Sequence, residues 1–124
     1  MLEHDLLSDR IIGCALSVHR ELGPGLLESI YEEALCLELA EGGLTFKRQL
    51  ELPVVYKGIP LSGSFRADIV VENAIVLELK CVDAILSIHK AQLLSYMRLG
   101  GWKTGLLLNF KTTVLKNGIF RIMS

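Results

Sequence analysis

The chain has 124 residues, a formal net charge of −1 and 51% hydrophobic residues, the length of one domain with enough apolar mass for a buried core. Disorder is excluded by that composition, and no apolar run approaches the roughly eighteen residues of a membrane span. The small total charge hides an asymmetry: residues 1–43 hold two basic and nine acidic side chains, a net of −7, whereas residues 44–124 hold eleven basic and five acidic, a net of +6.

A basic half suits a polyanion partner, while the near-zero total argues against tight non-specific DNA binding. A dipole shared between two protomers of a homodimer explains the split equally well. The opening Met-Leu-Glu-His-Asp lacks the basic and apolar regions of a signal peptide. Cys14, Cys36 and Cys81 show no CxxC or Cys/His ligand spacing. A reduced, cytoplasmic protein without membrane attachment is expected.

In chain order, residues 1–7 read as a loose arm carrying His4. Residues 8–22 read as a helix capped by Ser8 or Asp9, with Ile11, Ile12, Ala15, Leu16, Val18, His19 and Leu22 at helical spacing. Gly23-Pro24-Gly25 ends it. A second helix is expected over residues 26–41, its wide apolar set of Leu27, Ile30, Tyr31, Ala34, Leu35, Leu37 and Leu39 predicting a largely covered element. Glu28 lies near its start, where the helix dipole favours an acid. Strands follow over residues 44–56 and 61–71 around a turn at Lys57-Gly58-Ile59-Pro60. Pro53 inside the first implies an edge strand or a bulge. Residues 75–82 complete a three-stranded meander.

Residues 84–99 read as a third helix, on which His89, Gln92 and Tyr96 line up. His89 reads as a structural histidine rather than a proton shuttle. The very apolar segment 102–109 fits a strand buried on both faces and parallel to 75–82. A last strand over 118–122 closes the sheet. The order α-α-β-β-β-α-β-β is that of a mixed α/β sheet with helices packed on it. No repeat, P-loop or GxGxxG occurs, and nothing suggests a Ser-His-Asp or Cys-His arrangement.

The informative stretch is 66–80. Ile75, Leu77 and Leu79 share one face and Val76, Glu78 and Lys80 the other. In the preceding strand Ala67, Ile69 and Val71 oppose Arg66, Asp68 and Val70. The apolar sets register only across an odd turn such as 72–74, which sets Val71 against Ile75 and Ile69 against Leu77 and forces Asp68 against Glu78. Facing like charges are destabilising unless compensated. Lys80 is one compensator; a divalent cation such as Mg²⁺ is the other, because hard oxygen ligands on adjacent strands suit it.

Asp68 followed by Glu78-Leu79-Lys80 resembles the D…(E)xK core of the PD-(D/E)XK nuclease superfamily. Gly25-Leu26-Leu27-Glu28-Ser29-Ile30-Tyr31 matches the signature of the GxxExxY family, which is grouped with that fold. The resemblance continues through Arg48-Gln49, Tyr56-Lys57-Gly58, Arg66-Ala67-Asp68, Gln92…Tyr96 and Gly105-Leu106-Leu107-Leu108-Asn109-Phe110, over about residues 10–123. One departure is Lys111, where glycine is expected.

The resemblance implies a restriction-endonuclease-like core and a metal-dependent nuclease, on DNA first. Asp68, Glu78 and the Leu79 backbone carbonyl would hold Mg²⁺ or Mn²⁺, with Glu28 reaching the same cluster. Lys80 would act on water or phosphate, and Gln92, Tyr96 and Arg66 would position the substrate. A non-cleaving nucleic-acid-binding or assembly module on the same fold stays open, as does a domain that acts only beside a partner.

Overall fold

A computed structural model describes the backbone of residues 2–124 and the side chains from residue 6 onward. In order come α1 (Leu2–Leu22), α2 (Glu28–Glu41), β1 (Phe46–Tyr56), β2 (Ile59–Val71), β3 (Ile75–Lys80), α3 (Ser87–Gly100), β4 (Thr104–Asn109), a 3₁₀ turn (Leu115–Gly118) and β5 (Ile119–Met123). The five strands form one sheet in the order β1-β2-β3-β4-β5. Only β3 and β4 run parallel; the other neighbours are antiparallel. This is the expected mixed sheet, with α3 as the crossover between the parallel pair.

The sheet separates two apolar clusters. On one face α1 and α2 bury Ile11, Ala15, Tyr31, Leu35 and Leu39 against Ile69, Val71, Ile75, Leu77, Leu79, Leu106 and Leu108. On the other, Leu93, Met97 and Trp102 pack on Val70, Val76 and Leu107. Every residue from Ile75 to Leu79 and from Thr104 to Asn109 is buried, as a strand covered on both faces requires. The turn register is the expected one, Val71↔Ile75 and Ile69↔Leu77. Glu72 and Asn73 take φ of 55° and 50°, and the Glu72 carboxylate accepts the Thr45 N–H at 2.6 Å. Pro53 satisfies both halves of its expectation: β1 is an edge strand and its register shifts between Pro53 and Val55.

Four expectations change. The first helix begins at Leu2, so the backbone expected as a loose arm forms its first turns; nothing in Glu3–Leu7 breaks a helix, and Leu7 packs on the core. The side chain of His4 lies outside the described residues. The second helix starts at Glu28 rather than Leu26; Leu27, just before it, and Ile30 and Leu37 within it face solvent, because α1 and the sheet cover only its other side. Helix α3 starts at Ser87, where His89 Nδ1 accepts the Leu86 N–H at 2.9 Å; that bond spends the ring as a cap. Ala67 clusters with Leu52 on the α3 side rather than with Ile69. Gln49, between the pairs Arg48↔Ile69 and Leu50↔Ala67, has φ of 50°, and a left-handed residue inside a strand breaks the simple alternation of faces.

Candidate active site

The ladder between β2 and β3 ends at Ile69↔Leu77. One residue further, the Asp68 carboxylate accepts the Leu79 N–H at 2.9 Å, taking the place a backbone carbonyl holds in a continuing ladder. The two strands therefore part at Asp68, whose side chain fills the notch. On its other edge β3 stays paired with β4 through Lys80↔Asn109, so the notch has one rigid wall.

Glu78 sits beside Asp68 and is 5% exposed. Burial above all, then its hydrogen bond with Asp68 and the repulsion of that second carboxylate, push its carboxyl up to about 10, against the weaker opposing charge of Lys80. At neutral pH and with no cation bound, Glu78 is thus a neutral acid. The Asp68 field reaches both layers. On α3, burial first, then Glu78 and Asp68, raise the Tyr96 phenol. On α2, burial first and Asp68 next raise Glu28, Lys80 opposing and Glu32 adding. Glu28, Asp68, Glu78, Lys80 and Tyr96 therefore share one electrostatic neighbourhood. Arg66 and Gln92 are exposed and bond to none of these acids; Arg66 stands opposite Glu51 in the β1–β2 register.

The glycine–glutamate–tyrosine spacing has a physical basis here. The Tyr31 hydroxyl donates to the Gly23 carbonyl and accepts the Leu26 N–H at 3.1 Å, which ties down the loop where Gly25 has φ of 102°. Its ring stacks on Phe110 at 4.6 Å and 13°, and the Phe110 N–H donates to the Lys80 carbonyl at 2.9 Å. One side chain thereby links the start of α2, where Glu28 is the first residue, to the end of β3. Asn109 fixes the chain just beyond: its Oδ1 accepts the Val82 N–H at 3.1 Å and its Nδ2 donates to the Val82 carbonyl at 2.9 Å.

Lys111 has no left-handed φ and pairs with Asp83 at 2.6 Å, so the loop takes lysine without strain. His19 is 8% exposed, and its Nε2 lies 2.8 Å from the Thr112 carbonyl: a packing role.

Sequence reasoning missed Glu32. It is 6% exposed and accepts from Arg48 Nε at 3.1 Å, Arg48 Nη2 at 3.0 Å and Gln49 Nε2 at 2.9 Å. These bonds join α2 to the kink in β1 and give Arg48-Gln49 its purpose. The signal was available, since Glu32 falls on the stripe of Leu35, Cys36 and Leu39 at helical spacing. A cleft between α1 and α2, lined by Val18, Leu22, Leu37 and Glu38 among others, lies elsewhere and holds none of the acids in the notch.

Among the described residues, no three His, Cys, Asp or Glu side chains come close enough to share an ion. The hard-oxygen set is Asp68 and Glu78. The Leu79 carbonyl belongs to the same edge of β3 as its N–H, since both groups of a strand residue face one neighbour. Two carboxylates with water and phosphate completing the shell are what Mg²⁺ accepts, so the residues fit such a cation.

A mixed sheet between helices, with an acidic pair at the parting of two strands and a lysine beside it, defines a restriction-endonuclease-like protein. The family model of the PD-(D/E)XK nuclease superfamily matches residues 5–122, and the chain belongs to that superfamily. No curated protein and no solved structure gives a significant match. No described helix is long and apolar enough to cross a membrane.

Proposed function

We propose that this chain is a metal-dependent nuclease of the GxxExxY type that hydrolyses phosphodiester bonds, with DNA the first substrate to test. The observation that carries the reading is the pair of buried Glu78 and half-buried Asp68, set side by side with no built cation strong enough to offset it. Asp68, Glu78 and the Leu79 carbonyl hold Mg²⁺ or Mn²⁺; Glu28 adds negative charge from α2. A bound ion supplies Lewis acidity and a water of lowered pKa.

The chain supplies the rest. Lys80 places a fixed positive charge where the phosphate gains negative charge in the transition state. Tyr96 offers a phenol held in its protonated form beside the acids, and Gln92 and Arg66 orient the backbone of the substrate. The Tyr31–Phe110 link keeps Glu28 and Lys80 in register. Free cysteines agree with a cytoplasmic location, and the charge split with a homodimer.

The test is cleavage of a labelled panel of DNA and RNA structures in Mg²⁺ or Mn²⁺ by wild type, Asp68→Ala and Lys80→Ala. Metal-dependent cleavage lost in both variants is expected. A second reading, a module that binds nucleic acid without cutting, is favoured by there being, among the described residues, no third acid close enough to share an ion with the pair. Salt-sensitive affinity with no cleavage in any divalent metal establishes it instead.

A further inference from the structure

Beyond the ladder with β3, the β1–β2 hairpin projects from the sheet, and β2 is exposed from Ile59 through Arg66. Alternation puts Ile59, Leu61 and Phe65 on one face of β2, and Tyr56 joins them by pairing with Ile59. All four are exposed, Phe65 by 39%. Phe65 meets Tyr96 at the base of this strip, with ring centroids 5.2 Å apart and planes at 55°. Tyr96 in turn lies in the field of Asp68 and Glu78. An open aromatic surface therefore adjoins the acids.

One cation stands on the strip: Lys57 lies at the hairpin tip with its Nζ 5.3 Å from the Tyr56 ring and has no ion pair among the described residues. Arg66, next to Phe65 in the chain, alternates to the other face of β2, where Glu51 stands opposite it in register. Exposed rings with a cation at one end and the acid pair at the other suit a nucleic-acid strand, since every base has a face that stacks on an aromatic ring and every linkage carries a phosphate. A duplex keeps those faces against its own neighbours. Only an unpaired base or a frayed end can present one.

We propose that the Phe65–Tyr96 ring pair is a stacking platform for an unpaired nucleobase, which makes single-stranded nucleic acid or a single-stranded end the preferred ligand of the site. The proposal rests on the nuclease reading and adds the strandedness of the substrate. Phe65 is then a positioning residue: it holds the base adjoining the phosphate that reaches Asp68 and Glu78.

The experiment titrates the full chain into a fluorescent single-stranded oligonucleotide containing 2-aminopurine, and into a blunt duplex of the same length, in Ca²⁺ buffer. Wild type, Phe65→Leu and Phe65→Trp are compared, because leucine keeps apolar bulk and loses the ring. Expected are tighter binding to the single strand with quenched 2-aminopurine emission and roughly tenfold weaker single-strand binding by Phe65→Leu, the scale of one lost stacking contact. The tryptophan variant should restore that binding, and duplex affinity should stay unchanged throughout. Equal affinity for the two ligands, a Phe65→Leu chain that binds like wild type, or no binding overturns the platform. Cleavage in Mg²⁺ by wild type and Asp68→Ala is scored separately. A chain that cuts but ignores Phe65→Leu loses the platform alone; one that stacks the strand but never cuts loses the nuclease reading alone.

Discussion

Two glutamates are buried to nearly the same degree, Glu32 at 6% and Glu78 at 5% exposure, and the chain treats them in opposite ways. Around Glu32, at the joint between α2 and β1, Arg48 and Gln49 supply three donors. Around Glu78, at the parting of β2 and β3, the nearest charged partner is another carboxylate. A buried carboxylate is tolerated when paired and hydrogen-bonded. The first site meets that rule and holds the fold together. The second breaks it, and local rules are broken most often where function needs it. Burial does not separate a structural acid from a chemical one; what faces it does.

The largest expected effect separates activity from stability at the second site. Asp68→Asn should reduce metal-dependent cleavage by about a thousandfold or more, the scale of losing a principal electrostatic contribution to catalysis. The same variant should leave the metal-free melting temperature close to that of wild type, because with Glu78 protonated an asparagine oxygen can still accept the Leu79 N–H and the Glu78 proton. A sharp drop in melting temperature would mean that Asp68 is a fold residue, tied mainly to the Leu79 N–H.

Glu32 should respond in the reverse sense. Arg48→Ala leaves a buried carboxylate with only Gln49, and stability in urea should fall by about 2–3 kcal/mol, below the full cost of a broken buried pair because Arg48 is 43% exposed. Cleavage per folded molecule should change little.

Acidity gives a third contrast. The Glu78 carboxyl lies at about 10 in the folded chain against 4.5 for the free group, so the folded state keeps a proton that the unfolded chain releases. Its contribution to stability is complete below about pH 4.5 and is lost progressively as pH rises through about 10. By pH 7 the loss is roughly 3 kcal/mol. Metal-free wild type should therefore weaken from pH 5 to pH 8, and Glu78→Gln should flatten that slope in thermal melts. A slope unchanged in Glu78→Gln assigns it to other groups.

The smallest effect concerns the link between the helix start and the strand end. Tyr31→Phe keeps the stack on Phe110 and loses two hydrogen bonds, so about 1–2 kcal/mol of stability should go. The rate should fall severalfold as Glu28 loosens. Cleavage at the wild-type rate would leave Tyr31 a purely structural residue.

Much of the notch was legible in the sequence. Two strands with apolar alternation and an odd turn between them fix which side chains oppose, and that arithmetic set Asp68 against Glu78. The signature around Glu28 was legible as a pattern, though not its cause, since the stacking of Tyr31 on Phe110 joins residues far apart in the chain. Glu32, and with it the pairing that explains Arg48-Gln49, was missed for the same reason, despite the helical spacing that marks Glu32 as inward. The face of Ala67 was misread because the left-handed turn of the backbone at Gln49 has no glycine to announce it. Phe65 was passed over because an aromatic in a strand ordinarily reads as core, and only the projection of the hairpin leaves it open.

The most direct test of the acid pair as a cation site is calorimetric titration of Mn²⁺ and Mg²⁺ into wild type and Asp68→Asn at pH 7.5, in two buffers of different ionisation enthalpy. Binding by wild type with release of about one proton per ion, the proton held by Glu78, and loss of binding in Asp68→Asn are the expected result. Wild type that binds neither ion, or a variant that binds as well as wild type, would contradict it.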